Sequence, residues 1–437
     1  MSDLQRSFAK AKLADLPFEP PLPPNSAEEL EEEEDEDELQ ELPEPSPDED
    51  SSSASSASST GTIRPSLSKH LFARPKGSVG SRKTLDPLDW NEFFPQELYL
   101  PRKTENSEIT HHAYLIPPSE KGPLFVTHHG AGSSALSFAV CAKEIIKALP
   151  KSGVLSIDAR GHGDTTIESS GSHQEGNLDL SLETLSQDLI YVIKATQEKM
   201  IWQDLPPLLL VGHSLGGAVV TEAAMSGALG NAVLGYAVLD VVEGSAIDAL
   251  QSMQSYLSTR PRSFPSLFSG IEWHIRSRTI RNSTSSRVSV PSLLRQAPSL
   301  DSPNQEPSVS SSSESPTSQI WTWRTDLAAT QPFWENWFVG LSSKFLNAKG
   351  GKLLLLAGTD RLDKELMIGQ MQGLSLPPFH ISRKYQLQVF QDSGHFIHED
   401  LPQKTAMVLV DFYRRNDRSA MVLPPKVGDL LKMGRKI

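Results

Sequence analysis

The chain contains 437 residues, enough for one large domain or two of ordinary size. Its formal net charge is −13, but Glu28–Asp50 alone holds 15 acidic residues and no basic one, so the remainder carries only +2. A single cysteine, Cys141, excludes an intramolecular disulfide and favours a reducing compartment over a secreted enzyme. Met1–Leu13 lacks the apolar centre of a signal peptide, and no apolar run approaches the length of a membrane helix. We expect a cytoplasmic or nuclear protein that binds neither nucleic acid nor membranes.

Two segments are too polar to bury a core of their own. Residues 1–80 combine proline-rich, acidic and serine-rich stretches, which predicts a disordered tail. The tail either only solvates the protein or docks a partner, and its composition does not decide between them. A second Ser/Pro-rich block, Ala297–Ser318, predicts a disordered insert within a folded domain that spans residues 81–430.

Between these segments, short apolar runs alternate with helical patterns. Four helices are predicted at Ala135–Ala148, Leu182–Lys199, Gly216–Ala228 and Lys404–Arg415. Nearly continuous apolar strands between helices indicate a mostly parallel sheet that is covered on both faces. Residues 244–346 separate the sixth strand from the seventh and predict a cap. The eight predicted strands are Glu97–Leu100, His112–Ile116, Leu124–His128, Gly153–Ile157, Pro207–Val211, Gly235–Leu239, Lys352–Ala357 and Tyr385–Phe390.

The fifth strand runs into Gly212-His213-Ser214-Leu215-Gly216, and a helix of small residues follows. A G-x-S-x-G sequence between a strand and a helix is typical of a sharp turn that exposes the serine hydroxyl above a parallel sheet. We therefore predict that Ser214 is a nucleophile. A serine turn after the fifth of eight strands is the order of the α/β-hydrolase fold.

A serine nucleophile needs a base, and a Gly-His pair follows the last predicted strand. The glycine lets the loop bend so that His395 points inward. His398 lies beside Glu399 and Asp400, so we expect it to be exposed to solvent. His395 is therefore the predicted base.

The oxyanion of an acyl-transfer reaction needs hydrogen-bond donors. His128-His129-Gly130-Ala131-Gly132 follows the third strand, where this fold supplies one such donor. We predict that the backbone N–H groups of Ala131 and Leu215 form the oxyanion hole. His129 is predicted to be a structural histidine of the loop rather than a second base.

The acid that orients the histidine has two candidates. Asp360 follows the seventh strand and Asp240 follows the sixth, and each keeps the chain order Ser, Asp, His. Strand-end position alone slightly favours Asp360. An Asp158–Arg160 pair after the fourth strand is expected to stiffen a nearby loop. The predicted chemistry needs no metal or organic cofactor, and no metal-ligand spacing of Cys and His is present.

A longer stretch, Leu239–Gln254, resembles the same segment of the protein phosphatase methylesterase 1 family. Other segments are similar to it as well: Arg260–Phe264, Ile271–Trp273, Ile280–Asn282, Ser286–Ser289, Leu353–Asp363 and Gly394–Asp400. The resemblance covers roughly Asp86 to Phe412, suggests a fungal-type member, and includes the cap region, which general lipases do not share. The tail, the loop around Ser133 and the Ala297–Ser318 insert depart from the family.

The resemblance implies an enzyme that removes the methyl ester from the C-terminal leucine of the catalytic subunit of type 2A protein phosphatases. It matches the nucleophile to Ser214, the base to His395 and the acid to Asp240, which leaves Asp360 as the alternative acid. We expect a monomer whose partner is that phosphatase. Two other functions stay open: a small-molecule esterase or lipase, and a regulator that binds the phosphatase without catalysis.

Overall fold

The computed structural model describes residues 85–104, 107–119, 121–169, 178–297, 320–358, 362–368 and 385–417. All of them belong to one compact unit, Val79–Ile437. Three features of the sequence lie outside the described residues: the predicted tail, the predicted insert after Ala297, and the residue Asp360. The domain boundaries therefore stay a prediction. Within the described ranges, no helix is long and apolar enough to cross a membrane.

The centre of the molecule is a mixed sheet with the order β1-β2-β4-β3-β6-β7-β11-β12, and β5 pairs with β2. β2 is antiparallel to β1, β4 and β5, whereas the pairs from β4 to β12 along this order are parallel. The predicted mostly parallel sheet is therefore confirmed, and β5 is a further strand that the sequence did not predict. The strands are β1 (Gln96–Lys103), β2 (Ser107–Ile116), β3 (Leu124–His128), β4 (Gly153–Ile157), β5 (Thr166–Ser169), β6 (Leu208–His213), β7 (Val233–Leu239), β11 (Gly351–Leu356) and β12 (Gln386–Val389).

Helices cover both faces of the sheet. The α-helices with both ends among the described residues are α1 (Ala139–Ala148), α2 (Leu182–Lys199), α3 (Leu215–Ser226), α4 (Glu243–Thr259), α5 (Leu267–Arg276), α6 (Ser283–Leu293), α7 (Trp334–Phe338), α8 (Leu341–Asn347), α9 (Ile397–Asp400) and α10 (Pro402–Asn416). The four predicted helices are present, although the first begins as a 3-10 turn at Ala135–Phe138 and becomes α1 only at Ala139.

The side chains of β6 point alternately to the two faces of the sheet, and the core has one layer on each face. Leu208 and Leu210 pack in a cluster with residues of α2, α3 and α8. Leu209 and Val211 point to the opposite face and pack with residues of α1 and α10. Because successive side chains of a strand point to opposite faces, a strand with helices on both sides has to be apolar throughout.

The described residues between β7 and β11 form a layer beside the sheet, and part of it has a small core of its own. It contains α4 to α8 and a three-stranded sheet of β8 (Ser263–Phe264), β9 (Leu294–Gln296) and β10 (Trp321–Trp323) in the order β8-β10-β9. Phe264, Ile271, Ile280, Val290 and Leu294 form its core. We call this layer the cap.

Two tryptophans of the cap are buried rather than exposed. Trp334 and Trp337 have exposures of 6% and 2%, and both pack in the core beside α3. Their indole N–H groups donate to Thr330 Oγ1 and to Leu180 O, each at 2.7 Å. A buried indole N–H needs an acceptor, and both rings have one. The bond of Trp334 lies within the cap, whereas the bond of Trp337 to Leu180 attaches the cap to the sheet domain.

Candidate active site

Ser214 lies in the turn between β6 and α3 and adopts a left-handed backbone conformation, with φ of 52°. Its N–H donates to Leu239 O at 3.0 Å, and its carbonyl accepts from Gly217 N at 2.8 Å. A Cβ on Gly212 would lie 2.0 Å from Gly216 O, and one on Gly216 would lie 2.1 Å from His128 O. Only glycine fits at these two positions, because neighbouring backbone fills the space of a side chain. The turn therefore holds a strained serine at the end of β6.

The crowding predicts the effect of a single methyl group. We expect Gly216→Ala to lower the melting temperature strongly and to abolish esterase activity, because the new Cβ would force β3 and α3 apart. Gly230→Ala is the control: Gly230 also has a positive φ of 58°, but its Cβ would meet nothing within 4 Å. That variant should lose only about 1 kcal/mol of stability. Equal melting temperatures for the two variants would contradict this account of the turn.

Asp240 follows β7 and contacts His395. Its Oδ2 lies 2.8 Å from His395 Nδ1, and its Oδ1 accepts from Ala357 N at 2.8 Å. Because a carboxylate can only accept, Nδ1 carries the proton and His395 Nε2 is left as the basic nitrogen. The Asp240 side chain is fully buried, whereas that of His395 is 41% exposed. The structure thus brings Asp240 to His395, while Asp360 lies outside the described residues.

The loop that carries His395 is tied to the cap. Gly394 N donates to Asp400 Oδ2 at 2.6 Å, and Arg281 N donates to Asp400 Oδ1 at 2.7 Å. Arg281 Nη1 also donates to Asp392 O at 2.6 Å. Sequence reasoning missed Arg281, which precedes Asp392 by more than a hundred residues and belongs to no local motif. The family resemblance includes both Ile280–Asn282 and Gly394–Asp400, and this joint match is a signal that could have identified Arg281.

His213, next to the serine, also supports the histidine loop. Its Nε2 lies 2.8 Å from the carbonyl oxygen of His395, and because a carbonyl only accepts, Nε2 is the donor. The two imidazole rings have centroids 4.6 Å apart. The turn of Ser214 and the loop of His395 are therefore joined through a neighbouring side chain.

The loop after β3 contacts the serine turn. A Cβ on Gly130 would lie 3.0 Å from Ser214 Cβ, and Ala131 borders the same cavity as Ser214 and Leu215. Leu215 is the first residue of α3, where backbone N–H groups have no acceptor within the helix. The amides predicted for the oxyanion hole thus border one space.

Two neutral histidines hold this loop. His129 Nδ1 donates to Gly130 O at 2.7 Å while its Nε2 accepts from Ala159 N at 3.0 Å. His162 makes the same pair of bonds, to Arg160 O at 3.0 Å and from Gly132 N at 2.9 Å. Burial lowers the pKa of both rings, which agrees with neutral imidazoles. Both ring nitrogens of His129 bond to backbone, so it is a structural residue of the loop.

The expected pair of Asp158 with Arg160 is wrong. Arg160 Nε donates to Asp188 Oδ2 at 2.8 Å, whereas Asp158 bonds His112 Nδ1 at 2.6 Å and accepts from Ala135 N at 2.7 Å. Burial raises the pKa of Asp158, but the hydrogen bond from His112 and the other donors more than offset it, and the net shift is downward. Asp158 stiffens the loop as expected, but through a different partner.

His112 and Asp158, together with Asp164, are the one group of residues in the described ranges whose side-chain atoms could meet around a metal ion. His112, Asp158 and Asp164 each offer a ligand atom within 4.8 Å of the others. However, His112 and Asp158 bond each other directly, and Asp164 pairs with Arg324. We interpret the group as an ion-pair network that connects β2, the loop after β4 and the cap.

His398 is buried, and the prediction that it is exposed to solvent is wrong. Its exposure is 0%, and its ring stacks on Phe138 with centroids 4.0 Å apart. Neither ring nitrogen has a hydrogen-bond partner among the described residues. Burial, with smaller contributions from His213 and His395, lowers the pKa of His398 well below its usual value of 6.5. The acidic neighbours misled the prediction, because Glu399 and Asp400 are buried as well.

This burial predicts a pH dependence of stability. A folded-state pKa below the unfolded value removes stability as the pH falls below about 6.5, by up to about 1.4 kcal/mol per pH unit. We expect His398→Phe to change the free energy of unfolding by no more than about 1 kcal/mol at pH 7. At pH 5 it should gain about 2 kcal/mol relative to the wild type. Urea denaturation at both pH values measures this, and a pH-independent difference would exclude a buried neutral His398.

The candidate residues border a cavity of about 680 Å³ beneath the cap. Ser214, Asp240, His395, Ala131 and Leu215 all line it. The rest of the lining is largely apolar and comes from the cap, with Ala246, Leu250, Met253, Leu327, Trp337 and Phe338 among its residues. The arrangement has the parts of a serine hydrolase: a hydroxyl, a histidine oriented by a carboxylate, and backbone amides beside them.

Comparison with known proteins agrees with this geometry. The model of the alpha/beta hydrolase family matches residues 124–408. Protein phosphatase methylesterase 1 of Aspergillus oryzae is 58% identical over 98% of this chain and 93% of its own length. The protein of the same name from Neurospora crassa is 56% identical over the full length of both chains. The chain belongs to the protein phosphatase methylesterase 1 family. It is an ester hydrolase.

A solved structure supports the fold alone. E-2-(acetamidomethylene)succinate hydrolase matches with a TM-score of 0.50 and 16% identity over 72% of this chain and all of its own. At that identity the likeness extends to the sheet and its helices and carries nothing about the substrate. The confirmed α/β-hydrolase fold therefore rests on the topology, the family model and this neighbour together.

Proposed function

We propose that this enzyme removes the methyl ester from the C-terminal leucine of the type 2A protein phosphatase catalytic subunit and so regulates the phosphatase. The observation that carries the proposal is near-full-length similarity to relatives named protein phosphatase methylesterase 1. The resemblance in the sequence of the cap supports the same substrate. We further propose that the enzyme acts as a monomer in the cytoplasm or nucleus.

In the proposed mechanism, His395 Nε2 removes the proton of Ser214, and Oγ attacks the carbonyl carbon of the methyl ester. The N–H groups of Ala131 and Leu215 stabilise the negative charge that develops on the carbonyl oxygen. Asp240 keeps the proton on Nδ1 and stabilises the imidazolium. The imidazolium then protonates the leaving oxygen, and methanol departs.

The acyl-enzyme is hydrolysed by the same groups in reverse. His395 removes a proton from water, the resulting hydroxide attacks the acyl carbon, and the same two amides bind the second oxyanion. Collapse of this intermediate returns the proton to Ser214 and releases the free carboxylate. Apolar cap residues such as Leu250, Met253 and Trp337 line the cavity, and they suit a terminal leucine side chain.

The test uses the full-length chain and a type 2A catalytic subunit methylated at its C-terminus. We expect the wild type to release methanol and the free carboxylate. Ser214→Ala should lower the rate by at least about 10³-fold, because it removes the nucleophile. Loss of the methyl group is followed by mass spectrometry of the C-terminal peptide.

Two outcomes would favour the alternatives. A wild-type enzyme that cleaves p-nitrophenyl acetate but leaves the methylated phosphatase intact would be a small-molecule esterase. A protein that binds the phosphatase and cleaves neither substrate would be a non-catalytic regulator. Ser214→Ala that still binds the phosphatase would show that binding and catalysis are separable.

Substitution of the two candidate acids tests the role of Asp240. We expect Asp240→Asn to lower kcat by about 10³- to 10⁴-fold, because an amide can donate to Nδ1 and stabilise the wrong tautomer of His395. Asp360→Asn should retain most of the activity. Both variants keep the size of the side chain, so their circular dichroism spectra should match that of the wild type. Full activity in Asp240→Asn would overturn the assignment.

A further inference from the structure

One face of α4 lines the active-site cavity along the length of the helix. Ala246, Leu250, Met253 and Tyr256 follow one another at intervals of three or four residues, and Arg260 continues the row just after the helix ends. Residues at these intervals share one side of a helix. At a rise of 1.5 Å per residue, Arg260 lies about 21 Å along the axis from Ala246. Ala246 lines the same cavity as Asp240 and follows it by six residues in the chain.

Arg260 is held in place by an aromatic ring rather than by an acid. Its guanidinium lies 4.4 Å from the centre of the Trp323 ring, and Trp323 Nε1 donates to Pro261 O at 2.7 Å. Among the described residues, no carboxylate forms an ion pair with Arg260 and no acceptor hydrogen-bonds its guanidinium. Burial lowers the pKa of this arginine, and the attraction of Asp326, which is near enough to act on it without forming an ion pair, offsets only part of that shift.

A second arginine lines the cavity from the turn after α5. Arg278 is exposed and has a left-handed backbone, with φ of 60°, and its N–H donates to Ile275 O at 3.1 Å. Non-glycine residues adopt this conformation at a cost, and such strain is concentrated at functional sites. Its guanidinium likewise has no ion pair within the described chain. Two unpaired cations thus border the cavity.

The acidic residues of the cavity do not neutralise these cations. Asp240 is bonded to His395. Glu399 is buried, and the loss of hydration raises the pKa of its carboxyl well above the usual value, which disfavours its charged form. Neither of these carboxylates forms an ion pair with Arg260 or Arg278, although all four residues line the cavity.

We propose that Arg260 and Arg278 form an anion subsite that binds a carboxylate side chain of the substrate, upstream of the esterified residue. This rests on the proposed function, since it assumes a peptide chain in the cavity. An extended peptide advances about 3.3 Å per residue, so the 21 Å row spans about six residues. The subsite therefore selects an acidic residue within the six that precede the methyl ester. The row of α4 side chains between the catalytic groups and Arg260 contacts the peptide residues that lie between the methyl ester and the acidic residue.

The test compares two octapeptide methyl esters that end in leucine. One carries two aspartates among the six residues before the leucine, and the other carries asparagines at the same positions. For the wild type we expect kcat/KM to favour the acidic peptide by about tenfold or more, mainly through KM, as a charge-assisted hydrogen bond provides. Arg260→Gln and Arg278→Gln should each lower this ratio several-fold, and the double variant should bring it close to one.

The ratio separates the subsite from general damage to the enzyme, because a misfolded variant loses activity on both peptides. Arg276→Gln is the matched control. Arg276 is the last residue of α5, two positions before Arg278, and its guanidinium pairs with Glu272 at 3.7 Å. It is not among the residues that line the cavity. It should leave the ratio unchanged. Raising the salt concentration should lower the wild-type ratio, since screening weakens the pairing of accessible charges.

A ratio that is unaffected by both arginine substitutions would overturn the subsite, as would a wild-type ratio close to one. Failure of the proposed function has a different signature. In that case the wild type would hydrolyse neither octapeptide and would not demethylate the phosphatase, although it still cleaved p-nitrophenyl acetate.

Discussion

The candidate site depends on two backbone turns at the ends of adjacent strands. Ser214 and Asp240 both have left-handed backbones, with φ of 52° and 53°. The N–H of Ser214 donates to Leu239 O at 3.0 Å, and the N–H of Asp240 donates to Leu355 O at 2.7 Å. The hydrogen-bond ladder thus continues past the ends of β6 and β7 and fixes each residue to the next strand. Each turn costs about 1–3 kcal/mol of strain, which the surrounding sheet has to offset.

Local patterns were sufficient for the residues whose geometry is local. The G-x-S-x-G turn predicts Ser214 because neighbouring backbone leaves no space for a side chain at Gly212 and Gly216. The Gly-His pair predicts His395 because the glycine permits the bend. The continuous apolar strands predict a covered parallel sheet, since β3, β4 and β6 are buried throughout.

Contacts between distant segments were not accessible to such patterns. Strand-end position slightly favoured Asp360, which lies outside the described residues, because the rule considers where a strand ends and not which carboxylate reaches the histidine. Asp240 is the carboxylate that the structure shows in contact with His395. Only the family resemblance favoured Asp240. His398 was expected to be exposed from its acidic neighbours, yet Phe138, more than two hundred residues away, supplies the ring on which it stacks. Arg160 was paired with Asp158 for their proximity in the chain, whereas α2 provides its actual partner, Asp188.

The bonds of Asp400 have a thermodynamic consequence for the enzyme. One oxygen of this carboxylate holds the residue before His395, and the other holds Arg281 of the cap. The cap and the loop of His395 therefore share Asp400 as an anchor, so their order is linked. A protein that docks on the cap and holds it in this arrangement also favours this position of His395, and by reciprocity a well-placed His395 favours docking. Binding of a partner to the cap and the correct placement of His395 are therefore thermodynamically coupled.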